Sequence, residues 1–229
     1  MKPRICAVFD IDDTLYLERD YVRSGFEAVG QWAAKWLHIE DFAERCWSLF
    51  LAGHRRSIFD EVILGSSGET NPNLVAAMVE AYRTHVPSIA LAPDAREALE
   101  TISRIGSIAV ISDGPLSSQS RKAEALELSS FAAPIVLTEM LGSEFRKPHR
   151  RAFELVSQCS PITVYAYIAD NPLKDFAAPK QLGWATIRVR RPGGLYYAAE
   201  NPETIPDFEV EDCSGLTEVI ERLQPNIPI

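Results

Sequence analysis

The sequence predicts an α/β protein, a doubly wound parallel sheet with a helical domain inserted near its start. Two features carry that expectation. Runs rich in Ile and Val that are apolar throughout, not alternating, recur with helical patterns between them, as strands covered on both faces do. The rhythm breaks once, after the first run, where about 80 residues carry helical stretches and no convincing strand, far beyond an ordinary strand-to-helix connection.

In chain order, "ICAVF" (5–9) reads as the first strand and stops at Asp10. The insertion, residues 15–90, contains the helical stretches "YVRSGFEAVGQWAAKWL", "DFAERCWSLFLA" and "NPNLVAAMVEAYRTHV". Gly53 and "GSSGETNPN" (65–73) punctuate it, and "PSIALAP" (87–93) returns the chain to the core. It is expected as a cap above the carboxyl ends of the strands. A helix over 94–104 follows, with Pro93 before it and Gly106 after it, then the strand "SIAVI" (107–111) and a helix over 117–126. "PIVL" (134–137), a helix over 150–157, "TVYAYIA" (163–169), a helix over 175–182 closed by Gly183, and "ATIRV" (185–189) complete the alternation. The expected organisation is a Rossmann-like core over 1–14 and 91–229 with a helical cap over 15–90.

The chain of 229 residues is 46% hydrophobic and 24% charged, which suits a soluble globular protein with one good-sized core and excludes disorder as its main state. A net charge of −9 and the lack of a long Lys/Arg cluster argue against a nucleic-acid partner. Cys6, Cys46, Cys159 and Cys213 show no CxxC spacing, so neither a zinc site nor a disulfide framework is expected, and a reduced, cytoplasmic setting fits. The apolar run after Lys2 and Arg4 is cut by Asp10 before it reaches signal-peptide length. No window approaches ~18 uninterrupted apolar residues, so no membrane partner is expected. Nothing in the sequence indicates oligomeric state.

Ligands of doubly wound sheets bind beyond the carboxyl ends of the strands. Asp10, Asp12, Asp13 and Thr14 follow the first strand, Ser112, Asp113 and Gly114 the second, and Asp170, Asn171 and Asp175 the fourth. Three carboxylates among Asp10, Asp12 and Asp13 repel one another, so solvent, a metal or a cation must offset them. An EF-hand loop beginning at Asp10 would need Gly at 15 and Glu at 21, where Leu15 and Tyr21 stand. A phosphomonoester brought to this rim would need a divalent cation and an ammonium. Asp10 and Asp170 offer hard oxygens suited to magnesium, and Lys147 in "EFRKPHRRAFEL" is the best-placed ammonium. Ser112 offers a hydroxyl, and the backbone N–H groups of Asp113 and Gly114 suit a phosphate oxygen.

Together, "DIDDT" after one strand, "SDG" after the next, "KP" before a helix and "ADNPLKD" after a later strand resemble, in order, the four motifs of the haloacid dehalogenase superfamily of phosphohydrolases. The insertion resembles the helical cap of that superfamily's first class. The resemblance implies that Asp10 is a nucleophile forming an aspartyl-phosphate. It makes Asp12 the acid and then the base, with its main-chain carbonyl on Mg2+, and Thr14 the hydroxyl that closes the motif. Ser112 and Lys147 become the phosphate-binding pair, Asp170 a direct magnesium ligand, and Asp175 an outer-shell partner of the metal or the anchor for Lys147. Two departures concern the backbone alone: Asp13 stands where many relatives have Gly, and Ala169 where Gly often stands.

Several residues have simpler readings. Asp13 alone reads as an exposed Asp supporting a turn, Ser112 and Lys147 alone as a cap and a surface lysine, and Asp175 as a possible helix cap. Phe26, Val29, Trp32 and Trp36 read as cap core, Arg55 and Arg56 as a surface pair, His54, His85 and His149 as incidental, and "RRPGGLYY" (190–197) as a turn. Among reactions, Asp12 favours phosphoryl transfer over dehalogenation. Lys35, the only lysine between 15 and 90, should face solvent, which closes a Schiff-base route to phosphonate cleavage. The expectation is a phosphoric monoester hydrolase acting on a small phosphorylated metabolite, because a cap would shield the cleft from bulky partners. A phosphomutase or other phosphotransferase, and a ligand-binding relative without catalysis, are the alternatives.

Overall fold

A computed structural model describes residues 5–159, 162 and 164–223. The chain divides into two compact units, Met1–Glu18 with Ala90–Ile229, and Arg19–Ile89. In the first unit a six-stranded sheet is built from β1 (Ile5–Phe9), β2 (Ser107–Ser112), β3 (Ile135–Leu137), β4 (Val164–Ala169), β5 (Ala185–Val189) and β6 (Phe208–Val210). Its order is β3-β2-β1-β4-β5-β6, and every pairing is parallel. β1 is buried over its whole length because it has strands on both edges and helices over both faces, which is why its sequence is apolar without alternation. The chain leaves β1 toward β2 on one side and later reaches β4 on the other, so the switch in strand order falls at the end of β1, where Asp10 N–H donates to Ile168 O at 2.9 Å.

The helices of this unit are α5 (Pro93–Ile105), α6 (Leu116–Ala125), α7 (Arg151–Cys159), α8 (Ala177–Gln181) and α9 (Leu216–Leu223); α1 to α4 belong to the insertion. On one face of the sheet, Cys6, Val8, Ile111 and Tyr167 pack with Ala152, Phe153 and Val156 of α7 and with Trp184. α5 buries Ala95, Ala98, Leu99 and Ile102, the spacing of one helical face. Pro93 sits in its first turn, where a missing N–H costs nothing.

The second unit is helical: α1 (Glu18–Leu37, entered from the first unit), α2 (Phe42–Leu51), α3 (Ile58–Ser67) and α4 (Pro72–Thr84). Phe26, Phe42, Phe50, Phe59 and Tyr82 form its aromatic core, with ring centroids 5.7 to 6.4 Å apart. A Cβ on Gly30 would lie 2.7 Å from Ala43 Cβ, so the lack of a side chain sets how closely α1 and α2 approach. His85 is buried with a role in packing: one ring nitrogen lies 3.1 Å from Ser24 Oγ and the other 2.6 Å from Tyr82 O.

Differences from the sequence reading have local causes. α3 was not anticipated, because "IFDEVILGSS" is short and runs into a Gly/Ser stretch. β6 is three residues long at the sheet edge, too short for a pattern. α8 starts at Ala177, two residues later than expected, because Asp175 is engaged elsewhere and caps nothing. Thr163, placed at the start of the fourth strand, lies outside the described residues. Phe26 and Val29 are core, but Trp32 and Trp36 are exposed, the latter at 62%, with Lys35 Nζ 4.9 Å from the Trp36 ring centre. Among the described residues no helix is long and apolar enough to cross a membrane.

Candidate active site

The end of β1 turns tightly. Leu15 N–H donates to Ile11 O at 3.0 Å, Ala92 N–H donates to Leu15 O at 2.9 Å, and both stay within the sheet-bearing unit. Asp13 takes the left-handed conformation, φ 52°, which explains how Asp can stand at a position where Gly would be expected. Its carboxylate accepts from Glu18 N–H at 2.8 Å and Leu195 N–H at 2.6 Å. At 1% exposure it is not the exposed turn residue expected from sequence; it is a buried brace tying the "RRPGGLYY" segment to the first loop. Arg191 of that segment donates to Thr14 O at 3.0 Å and to both oxygens of Asp94 at 3.0 and 2.7 Å. Thr14 thus fixes the loop through its main chain, while its buried hydroxyl has no hydrogen-bond partner among the described residues.

Asp10, Lys147 and Asp175 form a buried chain of charge. Lys147 Nζ lies 2.9 Å from Asp10 Oδ1, 2.7 Å from Asp175 Oδ1 and 2.9 Å from the Tyr167 hydroxyl. Asp175 also accepts from Asn171 N–H at 3.2 Å, so both of its oxygens are engaged by protein donors. Burial pushes Asp10 up to about 6, against the pull of Lys147 and helped by the charge of Asp175. The Lys147 ammonium is raised well above the ordinary lysine range, because the two carboxylates outweigh its own desolvation.

Asp170 lies beside them. Asp10, Asp170 and Asp175 each offer a carboxylate oxygen within 4.8 Å of the others. The Asp170 carboxylate has no hydrogen-bond or ion-pair partner among the described residues, and burial followed by the charges of Asp175 and Asp10 raises it well above the carboxylate range. Two adjacent buried carboxylates, one without a donor, fit a hard divalent cation. Asp10 and Asp170 could hold such a cation through their side chains, whereas the commitments of Asp175 suit it to anchoring Lys147. Beneath this loop Arg188, 1% exposed, donates to Asp170 O at 3.2 Å and to Tyr196 O and Ala199 O at 2.9 and 2.8 Å.

Asp12 has a different set of partners. Lys122 Nζ lies 2.7 and 2.8 Å from its two oxygens, the Tyr16 hydroxyl donates to Oδ1 at 2.5 Å, and Gln119 Nε2 donates to Oδ2 at 3.1 Å. Burial alone would raise the Asp12 carboxyl, but Lys122 and these donors together bring it below the usual carboxylate range. Ser112 donates its hydroxyl to Gln119 Oε1 at 2.9 Å, so Gln119 links the second strand end to the first. Gly114, at φ 142°, takes a conformation that L side chains rarely adopt, and a Cβ there would meet Gln119 Nε2 at 2.7 Å, so Gln119 would have to shift. Asp113 accepts from Thr138 Oγ1 at 2.6 Å and Lys147 N–H at 3.1 Å, and Lys174 Nζ lies 3.8 Å from its other oxygen. Its side chain is therefore a brace, and only its backbone N–H is available for the phosphate contact expected of it.

The structure thus brings together Asp10, Asp12, Thr14, Ser112, Asp113, Gly114, Lys147, Asp170 and Asp175 around the end of β1. Sequence reasoning missed Tyr16, Gln119, Lys122, Tyr167 and Arg188. For two of them the sequence carried no signal: α6 buries Ser118, Gln119 and Lys122, polar residues that read as an exposed helix face.

A family model described as a haloacid dehalogenase-like hydrolase matches residues 6–183. The chain is 26% identical to a glyceraldehyde 3-phosphate phosphatase of Methanopyrus kandleri, covering 95% of this chain and 97% of that protein. It is 25% identical to another of the same name from Methanocaldococcus jannaschii, with the same coverage. Among solved structures, a magnesium-bound HAD-hydrolase from Bacillus subtilis superposes with a TM-score of 0.70 at 17% identity, covering 96% of this chain and 99% of that one.

Proposed function

We propose that this chain, which belongs to the haloacid dehalogenase-like hydrolases, is a magnesium-dependent phosphatase that hydrolyses a small phosphorylated metabolite through an aspartyl-phosphate on Asp10. The observation that carries the reading is the placing of one buried ammonium, Lys147, between Asp10 and Asp175, next to an Asp170 carboxylate that no donor among the described residues meets. That is an arrangement for receiving both an anion and a cation.

In the proposed reaction Asp12 enters protonated, against the pull of Lys122 that favours its ionised form; an oxygen of Asp10 attacks phosphorus as the ester P–O bond breaks, and Asp12 gives its proton to the departing oxygen. Water then attacks the phosphorus of the acyl phosphate, Asp12 takes a proton from that water, and the Asp10 carboxylate and inorganic phosphate separate. Lys147 offsets charge on Asp10 and on the phosphoryl oxygens. Mg2+, when bound, would supply Lewis-acid neutralisation of the same oxygens. The names of the two archaeal relatives make glyceraldehyde 3-phosphate the first substrate to try, within a class of small phosphate esters. The insertion Arg19–Ile89 is read as a cap on the grounds of its position directly after the first loop. A cytoplasmic setting fits this substrate class.

The test is a phosphate-release assay of the purified protein on a panel of phosphometabolites that includes glyceraldehyde 3-phosphate, with and without Mg2+, alongside Asp10→Asn. Magnesium-dependent turnover that disappears in the variant is expected. Turnover unchanged in Asp10→Asn would sink the mechanism, and no turnover on any ester would favour a binding role.

A further inference from the structure

We propose that Lys122, supported by Gln119 and Tyr16, is a positioning residue that fixes the carboxyl group of Asp12 for both proton transfers; this rests on the phosphatase reading above. Lys122 is drawn from the middle of α6, and its ammonium is buried where an unpaired cation would be costly. Its contact with Asp12 is two-pronged, 2.7 and 2.8 Å to the two oxygens. Tyr16 holds Oδ1 at 2.5 Å and Gln119 holds Oδ2 at 3.1 Å. A carboxylate gripped on both oxygens by donors from the first loop and α6 cannot rotate about its last torsion without losing several hydrogen bonds.

The amide of Gln119 is itself fixed, since Ser112 donates to its oxygen at 2.9 Å and leaves its nitrogen for Asp12. Lys147 and Lys122, both buried, divide three of the acidic groups: Lys147 takes Asp10 and Asp175, and Lys122 takes Asp12. The hydrogen bonds of Lys122 to both oxygens of Asp12 make Asp12 the group through which it would act on catalysis. It keeps its protons throughout: the transferred proton runs from Asp12 to the leaving oxygen, and later from water to Asp12.

Rotation of Asp12 matters when the leaving oxygen needs a proton and little when it departs as a stable anion, so the test is leaving-group dependence. Wild type, Lys122→Met, Lys122→Arg and Tyr16→Phe are assayed with Mg2+ on glyceraldehyde 3-phosphate and other alkyl phosphates, and on 2,4-dinitrophenyl phosphate. Lys122→Met is expected to lower kcat on alkyl esters about a hundredfold and on the activated ester less than about tenfold, in line with the usual worth of general acid catalysis. Lys122→Arg and Tyr16→Phe should show the same separation at smaller size, and they carry the test if Lys122→Met fails to fold. An equal loss on both ester types in every folded variant, with wild type active, overturns this proposal alone. A wild type inactive on every ester overturns the phosphatase reading and this proposal with it.

Discussion

Asp175 holds the ammonium of Lys147 at 2.7 Å, closer than Asp10 holds it at 2.9 Å. The lysine is therefore secured from its far side, and the contact that must change during reaction, with Asp10, is the longer of the two. Since Asp175 also accepts from Asn171 N–H, it binds the fourth-strand loop and Lys147 into one piece. Asp175→Asn should lower kcat about 10- to 100-fold, the usual cost of losing a group that orients a reacting one, with little change in the magnesium concentration needed for half-maximal rate. Asp170→Asn should do the reverse, raising that concentration by more than about tenfold. Magnesium titrations of the two variants side by side make the comparison, and a purely metal-dependent defect in Asp175→Asn would count against the anchoring role.

The metal-free protein should show an unusual pH dependence of stability. Asp10 is raised by burial to about 6 in the folded state, from an ordinary value near 4 in the unfolded chain. Between those values the folded state binds more protons than the unfolded, so stability falls as pH rises from about 4 to about 6. Asp170, also raised, adds in the same direction, while Asp12, lowered by Lys122, acts only in more acid solution. The unfolding free energy from urea titrations in EDTA should therefore drop between pH 4.5 and 7 by an amount on the order of a few kcal/mol, and Mg2+ should remove the drop by stabilising the ionised forms. A flat profile in EDTA would contradict the burial of uncompensated carboxylates.

Gly114→Ala tests the turn at the second strand end. The added Cβ would lie 2.7 Å from Gln119 Nε2 at a backbone φ of 142°, so either Gln119 moves or the turn does. Both outcomes disturb the group that joins Ser112 to Asp12. Activity should fall by more than about tenfold, while stability drops by only about 1–3 kcal/mol, the range for strain at a left-handed position. Retained activity with normal stability would show that Gln119 has room to spare.

The sheet could be read from sequence because strands buried on both faces must be apolar at every position, and β1 and β5 have the bounds expected of them. Residues gathered at the strand ends could be read for the same reason: each polar group there interrupts an apolar run. What escaped were side chains whose meaning depends on a distant partner. Lys122 and Gln119 sit in "SSQSRKAEA", which looks like an exposed helix until Asp12, more than a hundred positions earlier, is seen against it. Arg188 hides within an apolar strand, and three of its partners are backbone carbonyls on two loops, which have no sequence signature. β6 is too short to show any period.

Asp13 separates two reasons for choosing a residue. Its φ of 52° favours Gly, while its carboxylate accepts from Glu18 N–H and Leu195 N–H, which favours Asp. Asp13→Gly relieves the backbone but removes the acceptor from two part-buried donors, at about 1 kcal/mol or more each. The relief from Gly is smaller, about 1 kcal/mol, and is partly cancelled by the greater freedom of the unfolded chain. Asp13→Asn tolerates the same φ and keeps one acceptor oxygen, so it should fall between. The expected order of urea midpoints is wild type, then Asp13→Asn, then Asp13→Gly. If Asp13→Gly matches or exceeds wild type, backbone conformation and not the tie to Leu195 decides this position.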